Sequence, residues 1–164
     1  MQYLPAKIRR NFVAHGLRSV YGGLIMAQPP HYTLDLQIGY ILRRVTQRHL
    51  AIFSAAIPEV TTTQFAVLAR LVQLGPLSQN LLGRETAMDA ATVKGVVDRL
   101  IRLGLATTTP DPEDRRRLTV ALTDAGAALV SARIPTALAI SDDTLGPLNE
   151  AERKTLLALL SRLV

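Results

Sequence analysis

A basic turn that leads into an alternating strand pattern is the feature of this sequence that most restricts its fold. Residues 111–123 read Asp-Pro-Glu-Asp-Arg-Arg-Arg-Leu-Thr-Val-Ala-Leu-Thr. Asp and Pro favour a turn, and the apolar alternation at Leu118, Val120 and Leu122 predicts a half-buried strand. Residues 105–109 can form the strand before it. The segment therefore predicts a β-hairpin that carries three arginines beside acidic side chains.

Two helices are predicted immediately before this hairpin. Ser78 can cap a short helix, and Asp89 can cap a longer one that ends near Gly104. The apolar stripe of the longer helix consists of Val93, Val96, Val97 and Leu100. Because residues 78–103 predict a helix, a turn and a helix, the unit has the layout of a winged helix, which holds duplex DNA.

Helical periodicity continues on both sides of this unit. Four further helices are predicted: residues 34–56, a helix capped by Thr61 or Thr62 that runs to about Leu74, residues 123–145 with Pro135 inside them, and a final helix capped by Asn149. In the first, the apolar residues at helical spacing are Ile38, Ile41, Leu42, Val45, Ile52 and Phe53. In the second, the side chains expected to face inward are Phe65, Leu68, Leu71 and Val72. The predicted fold class is mainly α.

Length and composition narrow the class of protein. A chain of 164 residues can bury a core as one domain, and its apolar content, mostly Leu, Ala and Val, suits helices. Cysteine is absent, which excludes a disulfide framework, a thiolate zinc site and a thiol redox sensor. No apolar run approaches the ~20 residues that cross a bilayer. We therefore expect a cytoplasmic protein that does not associate with a membrane.

Basic charge is concentrated at the beginning of the sequence. Residues 1–30 contain four basic side chains and no acidic one, whereas the rest contains 15 basic and 13 acidic side chains. The local placement of arginines is therefore better evidence for nucleic-acid binding than the net charge of +6. We expect this basic N-terminal extension to be a mobile tail, or to result from an early start codon with Met26 nearer the body. An arm that adds to DNA or dimer contacts is the alternative.

The predicted helix after Asp89 has an outer face of small and polar residues. These are Ala90, Ala91, Thr92, Lys94 and Gly95. Small residues let a helix backbone approach base edges in the major groove, while Thr92 can donate to a base or phosphate and Lys94 can reach guanine. An amphipathic helix with a solvated outer face is the alternative, and this helix alone does not distinguish the two.

The arginines of the hairpin favour the DNA-binding interpretation. Arginine at the tip of a hairpin can enter the minor groove, where the potential is most negative over narrow A·T-rich stretches. Asp114 can hold the guanidinium of Arg115 or Arg116 in position through bidentate hydrogen bonds. A solvated loop explains any single arginine, but it explains poorly why a strand–turn–strand pattern follows a capped helix directly.

Residues 32–164 resemble the MarR family of winged-helix transcription regulators. The resemblance is carried by Gln-Phe-Ala-Val-Leu at 64–68, Val-Asp-Arg-Leu-Ile-Arg-Leu-Gly-Leu at 97–105, Asp-Pro-Glu-Asp-Arg-Arg at 111–116 and Leu-Thr-Asp-Ala-Gly at 122–126. An Asp-x-Arg turn followed by Leu-Thr-x-x-Gly is far more specific than a general helix-turn-helix pattern.

The resemblance implies a homodimer whose first, fifth and sixth helices intertwine, a palindromic double-stranded DNA operator, and release from DNA by a small aromatic acid or phenol. It divides the chain into the extension at 1–30 and one MarR-like domain at 31–164. Within that domain, 31–57 and 124–164 would form the dimerisation helices and 60–123 the winged helix-turn-helix.

Carried over by position, the resemblance implies a set of DNA-binding residues. Asp114 and Arg116 match the wing pair of the family, with Arg115 between them. The complete set is Ser78, Gln79, Ala90, Ala91, Thr92, Lys94, Gly95, Arg99, Asp114, Arg115, Arg116 and Arg117. Alanine and glycine replace several polar or basic groups of the family here, so we expect specificity to depend on Thr92, Lys94, the wing arginines and DNA shape.

Residues 81–98 are similar to a narrower branch, the repressors of nicotinate degradation, which implies a hydroxynicotinate-like effector. Effectors of this family commonly lie between the first two helices and the DNA-binding lobe. The ligand-binding candidates are Tyr40, Arg43, His49, Phe53, Gln64 and Phe65. An acid needs a cationic or multiply donating partner, and aromatic walls suit a flat ring. A histidine on an apolar face can equally be an ordinary core residue.

Enzymatic activity finds no support in the sequence. Its three histidines are widely spaced, and there is no glycine-rich phosphate loop, serine nucleophile elbow or cysteine nucleophile. We expect no cofactor, no metal and no catalysis. The rival to DNA binding is a winged-helix module for protein–protein interaction, whose wing arginines pair with an acidic partner.

Overall fold

The computed structural model describes residues 32–110 and 118–164. The predicted extension and the arginine-bearing turn at 111–117 lie outside the described residues. In the described part the chain forms six α-helices and three short strands. They are α1 (Ile38–Ala56), α2 (Thr62–Leu74), β1 (Leu77–Ser78), α3 (Gln79–Glu85), α4 (Ala90–Arg102), β2 (Ala106–Pro110), β3 (Leu118–Leu122), α5 (Asp124–Thr144) and α6 (Glu150–Leu160). The predicted mainly α fold is confirmed.

Side-chain caps begin five of these helices. The side chain of each capping residue accepts a hydrogen bond from the backbone N–H three residues later, which satisfies one of the free donors at the helix start. The caps are Thr61, Ser78, Asp89, Thr123 and Asn149. α1 differs, because Gln37 makes no side-chain cap bond.

The three strands form one antiparallel sheet in the order β1-β3-β2. In β3, Val120 pairs with Leu77 of β1 on one side and with Thr108 of β2 on the other. The β2–β3 hairpin was predicted, but β1 was not. A strand of two residues is too short for an alternating apolar pattern to mark it.

The hydrophobic core lies where α2, α3 and α4 pack on the sheet. Its fully buried side chains come from every one of these elements and are Val67, Leu68, Leu82, Val93, Leu100 and Val120. Phe53 and Ile57 extend this core toward α1, and Val130 and Ile140 extend it toward α5. Because one helix face and one sheet face are buried together, α4 is held with its opposite face outward.

The hairpin leads into α5 through a tight junction at Thr123 and Gly126. The hydroxyl of Thr123 donates to the carbonyl of Gly104 at 2.6 Å, and the Thr123 backbone N–H donates to the carbonyl of Leu105 at 3.2 Å. A Cβ added at Gly126 would overlap the carbonyl oxygen of Leu105. The Leu-Thr-x-x-Gly motif is therefore a packing motif that fixes the start of α5 against the hairpin.

One expectation about inward-facing side chains needs correction. Val72 was expected to face inward and is exposed, because the buried stripe of α2 is formed by Gln64, Val67, Leu68 and Leu71 instead. In α1 the N-terminal apolar residues do not reach the core of the chain. Ile38, Ile41, Leu42 and Val45 are exposed, and only the C-terminal half of α1 packs inward.

Candidate nucleic-acid interface

The two helices before the hairpin are held together by close backbone packing. A Cβ added at Gly83 would lie 3.0 Å from the carbonyl oxygen of Met88 and 3.3 Å from Val93 Cγ1. The Met88 backbone N–H donates to the Gly83 carbonyl at 2.8 Å, and Ala87 in the turn has φ 52°. The glycine lets α3 approach the start of α4, which fixes the direction of α4 in the domain.

The outward face of α4 carries the predicted major-groove residues. Ala90, Ala91, Thr92, Lys94 and Gly95 are all exposed, and the four residues of the predicted apolar stripe are all buried. A Cβ added at Gly95 would meet no atom within 4 Å. Packing within the chain therefore does not require glycine there, and the glycine leaves a shallow place in the helix surface.

Thr92 is engaged by the cap of its own helix. Asp89 accepts from the Thr92 backbone N–H and from the Thr92 hydroxyl, each at 2.8 Å. These two hydrogen bonds lower the pKa of the Asp89 carboxyl, which keeps it charged at the start of α4. With its proton donated to Asp89, the hydroxyl can accept a hydrogen bond from a base amino group.

Lys94 is also paired within α4. Its Nζ lies 2.9 Å from Asp98 Oδ2; the Lys94 side chain is largely exposed and that of Asp98 about half-exposed. Arg99, one residue further along, is exposed, and its backbone carbonyl accepts from the Leu103 N–H at 3.0 Å near the end of α4. Asp98 was not among the predicted site residues, although an acid four residues after a lysine on a helix indicates such a pair.

Ser78 and Gln79 join α3 to the hairpin. The Ser78 hydroxyl caps α3 by accepting from the Leu81 N–H at 3.3 Å, and Ser78 pairs with Thr119 of β3. Both Ser78 and Gln79 are half-buried. They are therefore placed at the contact between α3 and the sheet, with only part of each side chain available to DNA.

The four wing residues lie outside the described residues. Asp114, Arg115, Arg116 and Arg117 belong to the segment between β2 and β3, whose last described pair is Pro110 with Leu118. The structure therefore describes the two strands that flank this segment, and the contacts of the wing arginines with DNA stay a prediction.

Three of the six ligand-binding candidates, His49, Phe53 and Phe65, lie together between α1 and α2. The rings of Phe53 and Phe65 meet edge to face with centroids 5.8 Å apart, and the His49 and Phe53 rings are 6.3 Å apart. Gln64 is buried, and its Oε1 accepts from the Thr61 N–H at 2.8 Å in a capping box. The amide oxygen of Gln64 thus has a structural partner already.

His49 also connects α1 to the end of α5. Thr144 has one hydroxyl proton, which it donates to the Ile140 carbonyl at 2.8 Å. His49 Nδ1 lies 3.0 Å from the same oxygen, so the ring must carry a proton on Nδ1 and donate it. Its Nε2 atom is then an acceptor in the neutral ring and a donor in the protonated ring.

The other two candidates lie at a distance from this group in a single chain. Tyr40 precedes His49 by nine residues, which corresponds to about 14 Å along an α-helix. The guanidinium of Arg43 lies 5.4 Å from the centre of the Tyr40 ring. The chain therefore presents an aromatic and histidine group near the C-terminal half of α1 and a separate tyrosine and arginine pair near its start.

Residues 32–110 and 118–164 contain neither a grouped set of metal ligands nor a helix suited to a membrane. In those segments no three His, Cys, Asp or Glu side chains are grouped so that they could hold a metal ion. None of the helices in the described part of the chain has the length and apolar character needed to cross a membrane.

Comparison with known proteins identifies relatives of this chain. The model of the MarR family matches residues 59–117. The transcriptional repressor NicR of Pseudomonas putida is 44% identical over 135 residues, which cover 81% of this chain and 85% of NicR. The crystal structure of a probable transcriptional regulator from Pseudomonas aeruginosa is 50% identical and superposes with a TM-score of 0.78, over 80% of this chain and 100% of that one.

BpsR of Bordetella bronchiseptica is a further structural relative. It is 42% identical and superposes with a TM-score of 0.77, over 81% of this chain and 96% of BpsR. The DNA binding of BpsR is regulated by 6-hydroxynicotinic acid. The predicted winged-helix fold and the predicted family are confirmed by these similarities.

Proposed function

This chain belongs to the MarR family, and we propose that it is a homodimeric repressor that binds a palindromic operator and is released from it by a hydroxynicotinate-like acid. The observation that carries the proposal is the outward face of α4. Its small exposed residues lie opposite a fully buried stripe, and the β2–β3 hairpin follows at once. Such a helix can enter a major groove while the hairpin contacts the backbone or the adjacent minor groove.

A second copy of the chain is the partner we propose for the helices at both ends. Exposed apolar side chains lie on α1, on α5 and on α6 and the residues after it. They are Ile38, Ile41, Leu42, Val45, Ile134, Leu138, Leu157, Leu159, Leu163 and Val164. Exposed apolar surface of this extent marks an interaction site. A two-fold dimer would place the two α4 helices about 34–36 Å apart, one turn of DNA.

The effector proposal is supported by the residues between α1 and α2 and by two relatives. His49 offers a ring nitrogen beside the ring of Phe53, which in turn contacts Phe65; this suits a flat ring with polar substituents. NicR and BpsR are similar to this chain over most of its length, and 6-hydroxynicotinic acid regulates BpsR. A pyridine carboxylate with a hydroxyl group is therefore the effector class we propose.

DNA binding is tested with duplexes from the region upstream of the gene, compared with a scrambled duplex of the same length. Fluorescence anisotropy is expected to show tight, salt-dependent binding to an inverted repeat. Arg116→Ala is expected to lose operator affinity severely, because a wing arginine contacts the minor groove. Lys154→Ala, which removes a charge from exposed Lys154 on α6, is the control and is expected to bind as the wild type does.

Effector binding is tested by adding 6-hydroxynicotinic acid to the complex with the operator. The acid is expected to release the DNA, and benzoic acid is expected to do so less well because it lacks the ring nitrogen and hydroxyl. His49→Ala and Thr144→Val are both expected to shift the required concentration without abolishing DNA binding. Release at an unchanged concentration in both variants would remove His49 from the proposed site.

One observation favours the rival function of a protein-interaction module. Thr92 and Lys94, the polar groups on the first turns of α4, are both paired with carboxylates of the same helix, so few groups are free to read bases. Tight binding to an acidic protein, together with equal affinity for operator and scrambled duplex, would support that function instead.

A further inference from the structure

The outward face of α4 contains an acid at a position where DNA binding alone would not place one. Asp98 follows Ala91 by seven residues, Gly95 by three and Lys94 by four, so it lies on the same helix face as these proposed groove residues. Its side chain is 46% exposed. A carboxylate on a surface that meets DNA is repelled by the phosphates and lowers affinity. Its presence on this face therefore indicates a specific role.

The contact that Asp98 makes defines this role. Its Oδ2 lies 2.9 Å from Lys94 Nζ, and the Lys94 side chain is 68% exposed. Arg102, four residues beyond Asp98 on the same face, is exposed, but within the described segments the ion pair of Asp98 is with Lys94. The Asp98 carboxylate therefore pairs with Lys94 and not with Arg102. Lys94 is nearer the N-terminal end of α4, which is the end that enters the major groove.

We propose that Asp98 is a positioning residue. Its ion pair with Lys94 directs the lysine toward base edges and weakens the attraction of the lysine to phosphates. The inference rests on the proposed DNA-binding function. An ammonium group has three N–H donors. One of them donates to Asp98, and the other two can donate to the O6 and N7 acceptors of guanine. On a duplex without guanine at that place, the paired lysine adds little to phosphate attraction, because its charge is already neutralised.

The effect of this arrangement is discrimination against non-operator DNA. Each cation that contacts a phosphate contributes about 0.9 to the slope of log affinity against log salt concentration. A lysine released from Asp98 would add one such contact on any duplex, which corresponds to about fivefold higher affinity at 0.15 M salt. Asp98 thus lowers binding to the many competing sites more than binding to the operator.

The experiment measures the affinities of the full chain for the operator and for a scrambled duplex across a salt series. Asp98→Asn keeps the size of the side chain and removes its charge. We expect about fivefold tighter binding to the scrambled duplex, a salt slope steeper by about 0.9, and a smaller change on the operator. In the Lys94→Ala background, Asp98→Asn is expected to change neither the affinity for the scrambled duplex nor its salt slope, because Asp98 acts through Lys94.

A matched control separates this effect from net charge. Asp142 is an exposed carboxylate of α5 whose Oδ1 lies 3.2 Å from Arg153 Nη1, so Asp142→Asn also removes one charge from an ion pair. It is expected to leave both affinities within twofold of wild type. Equal increases in affinity for the scrambled duplex in Asp98→Asn and Asp142→Asn would overturn the inference. So would an increase from Asp98→Asn that is just as large in the Lys94→Ala background.

A second variant tests the inference without altering Asp98. Lys94→Gln is expected to weaken operator binding and to leave the affinity and salt slope of the scrambled duplex unchanged. Equal losses on both duplexes would make Lys94 a phosphate contact and contradict the role of Asp98. If the wild-type chain binds both duplexes equally, the proposed DNA-binding function fails. If the wild-type chain prefers the operator and Asp98→Asn does not reduce that preference, the role of Asp98 fails and the DNA-binding function stands.

Discussion

The winged-helix lobe and the terminal helices bury their apolar side chains to very different degrees. In the lobe, which comprises α2, α3, α4 and the sheet, every element contributes to one closed core. In the terminal helices α1, α5 and α6, large apolar side chains are exposed, including Ile38 at 63% and Leu138 at 66%. The lobe buries its core within a single chain, whereas the terminal helices leave large apolar side chains uncovered.

The spacing of the exposed residues distinguishes the terminal helices from an ordinary surface, on which exposed apolar residues are scattered. On α1 the exposed apolar residues Ile38, Ile41, Leu42 and Val45 occupy positions i, i+3, i+4 and i+7, which form one continuous stripe. The lobe also has exposed apolar residues, such as Val72 and Leu103, but single exposed residues are normal on protein surfaces. A continuous stripe without a covering element is what the proposed second copy would cover.

The largest expected effect is the loss of this second copy. Val45 on α1 and Val72 on α2 are each 48% exposed, so they form a matched pair. Val45→Asp is expected to dissociate the dimer and abolish operator binding, because an unpaired carboxylate buried in an interface costs several kcal/mol. Sedimentation equilibrium is expected to give a mass near the 17.8 kDa of one chain. Val72→Asp is expected to keep the dimer mass, and a dimeric Val45→Asp protein would break the comparison.

The next largest effect concerns the core of the lobe. Leu100 is fully buried in α4, whereas Leu103 at the end of that helix is 51% exposed. Leu100→Ala is expected to lower the free energy of unfolding by about 2–5 kcal/mol, through lost burial and a residual cavity. Leu103→Ala is expected to change it by less than about 0.5 kcal/mol. Urea unfolding at fixed protein concentration measures both, and equal losses would mean that the lobe core is not closed as described.

A smaller effect is expected where the two regions join. Gly126→Ala would drive a methyl group into the backbone of Leu105, so the start of α5 has to shift. Overpacking of this kind costs about 1–3 kcal/mol, and more where backbone must move. The expected result is a lower urea midpoint together with weaker operator binding, since α5 carries the lobe on the proposed dimer. An unchanged midpoint would show that the junction can adjust freely.

The local features of the fold could be predicted from the sequence because they depend on neighbouring residues. Capping residues and apolar periodicity predicted the starts of α2, α3, α4 and α6, and Asp89 and Asn149 are the caps expected of them. The hairpin strands were predicted to within one residue. What covers an apolar face is not a local property, so the periodicity of α1 predicted a helix without predicting which of its apolar side chains are exposed.

The same distinction applies to the candidate site. The exposure of Lys94 followed from helical periodicity, and its pairing with Asp98 was accessible from the i, i+4 spacing. The contact between His49 and Thr144 joins residues 95 positions apart. No local pattern predicts such a contact, because it depends on how α1 and α5 pack. The separation of Tyr40 from the histidine was predictable in principle from the rise of a helix.

The smallest expected effect has the opposite sign and concerns the outer surface of the lobe. A Cβ at Gly95 meets no atom, and alanine in a helix interior is more stable than glycine by about 0.5–1 kcal/mol. Gly95→Ala is therefore expected to raise the free energy of unfolding by that amount in urea. If the shallow place at Gly95 lets the backbone approach DNA, operator affinity falls in the same variant. A gain in stability with unchanged operator binding would show that the groove contact does not depend on Gly95, and a loss of stability would contradict the open space described around it.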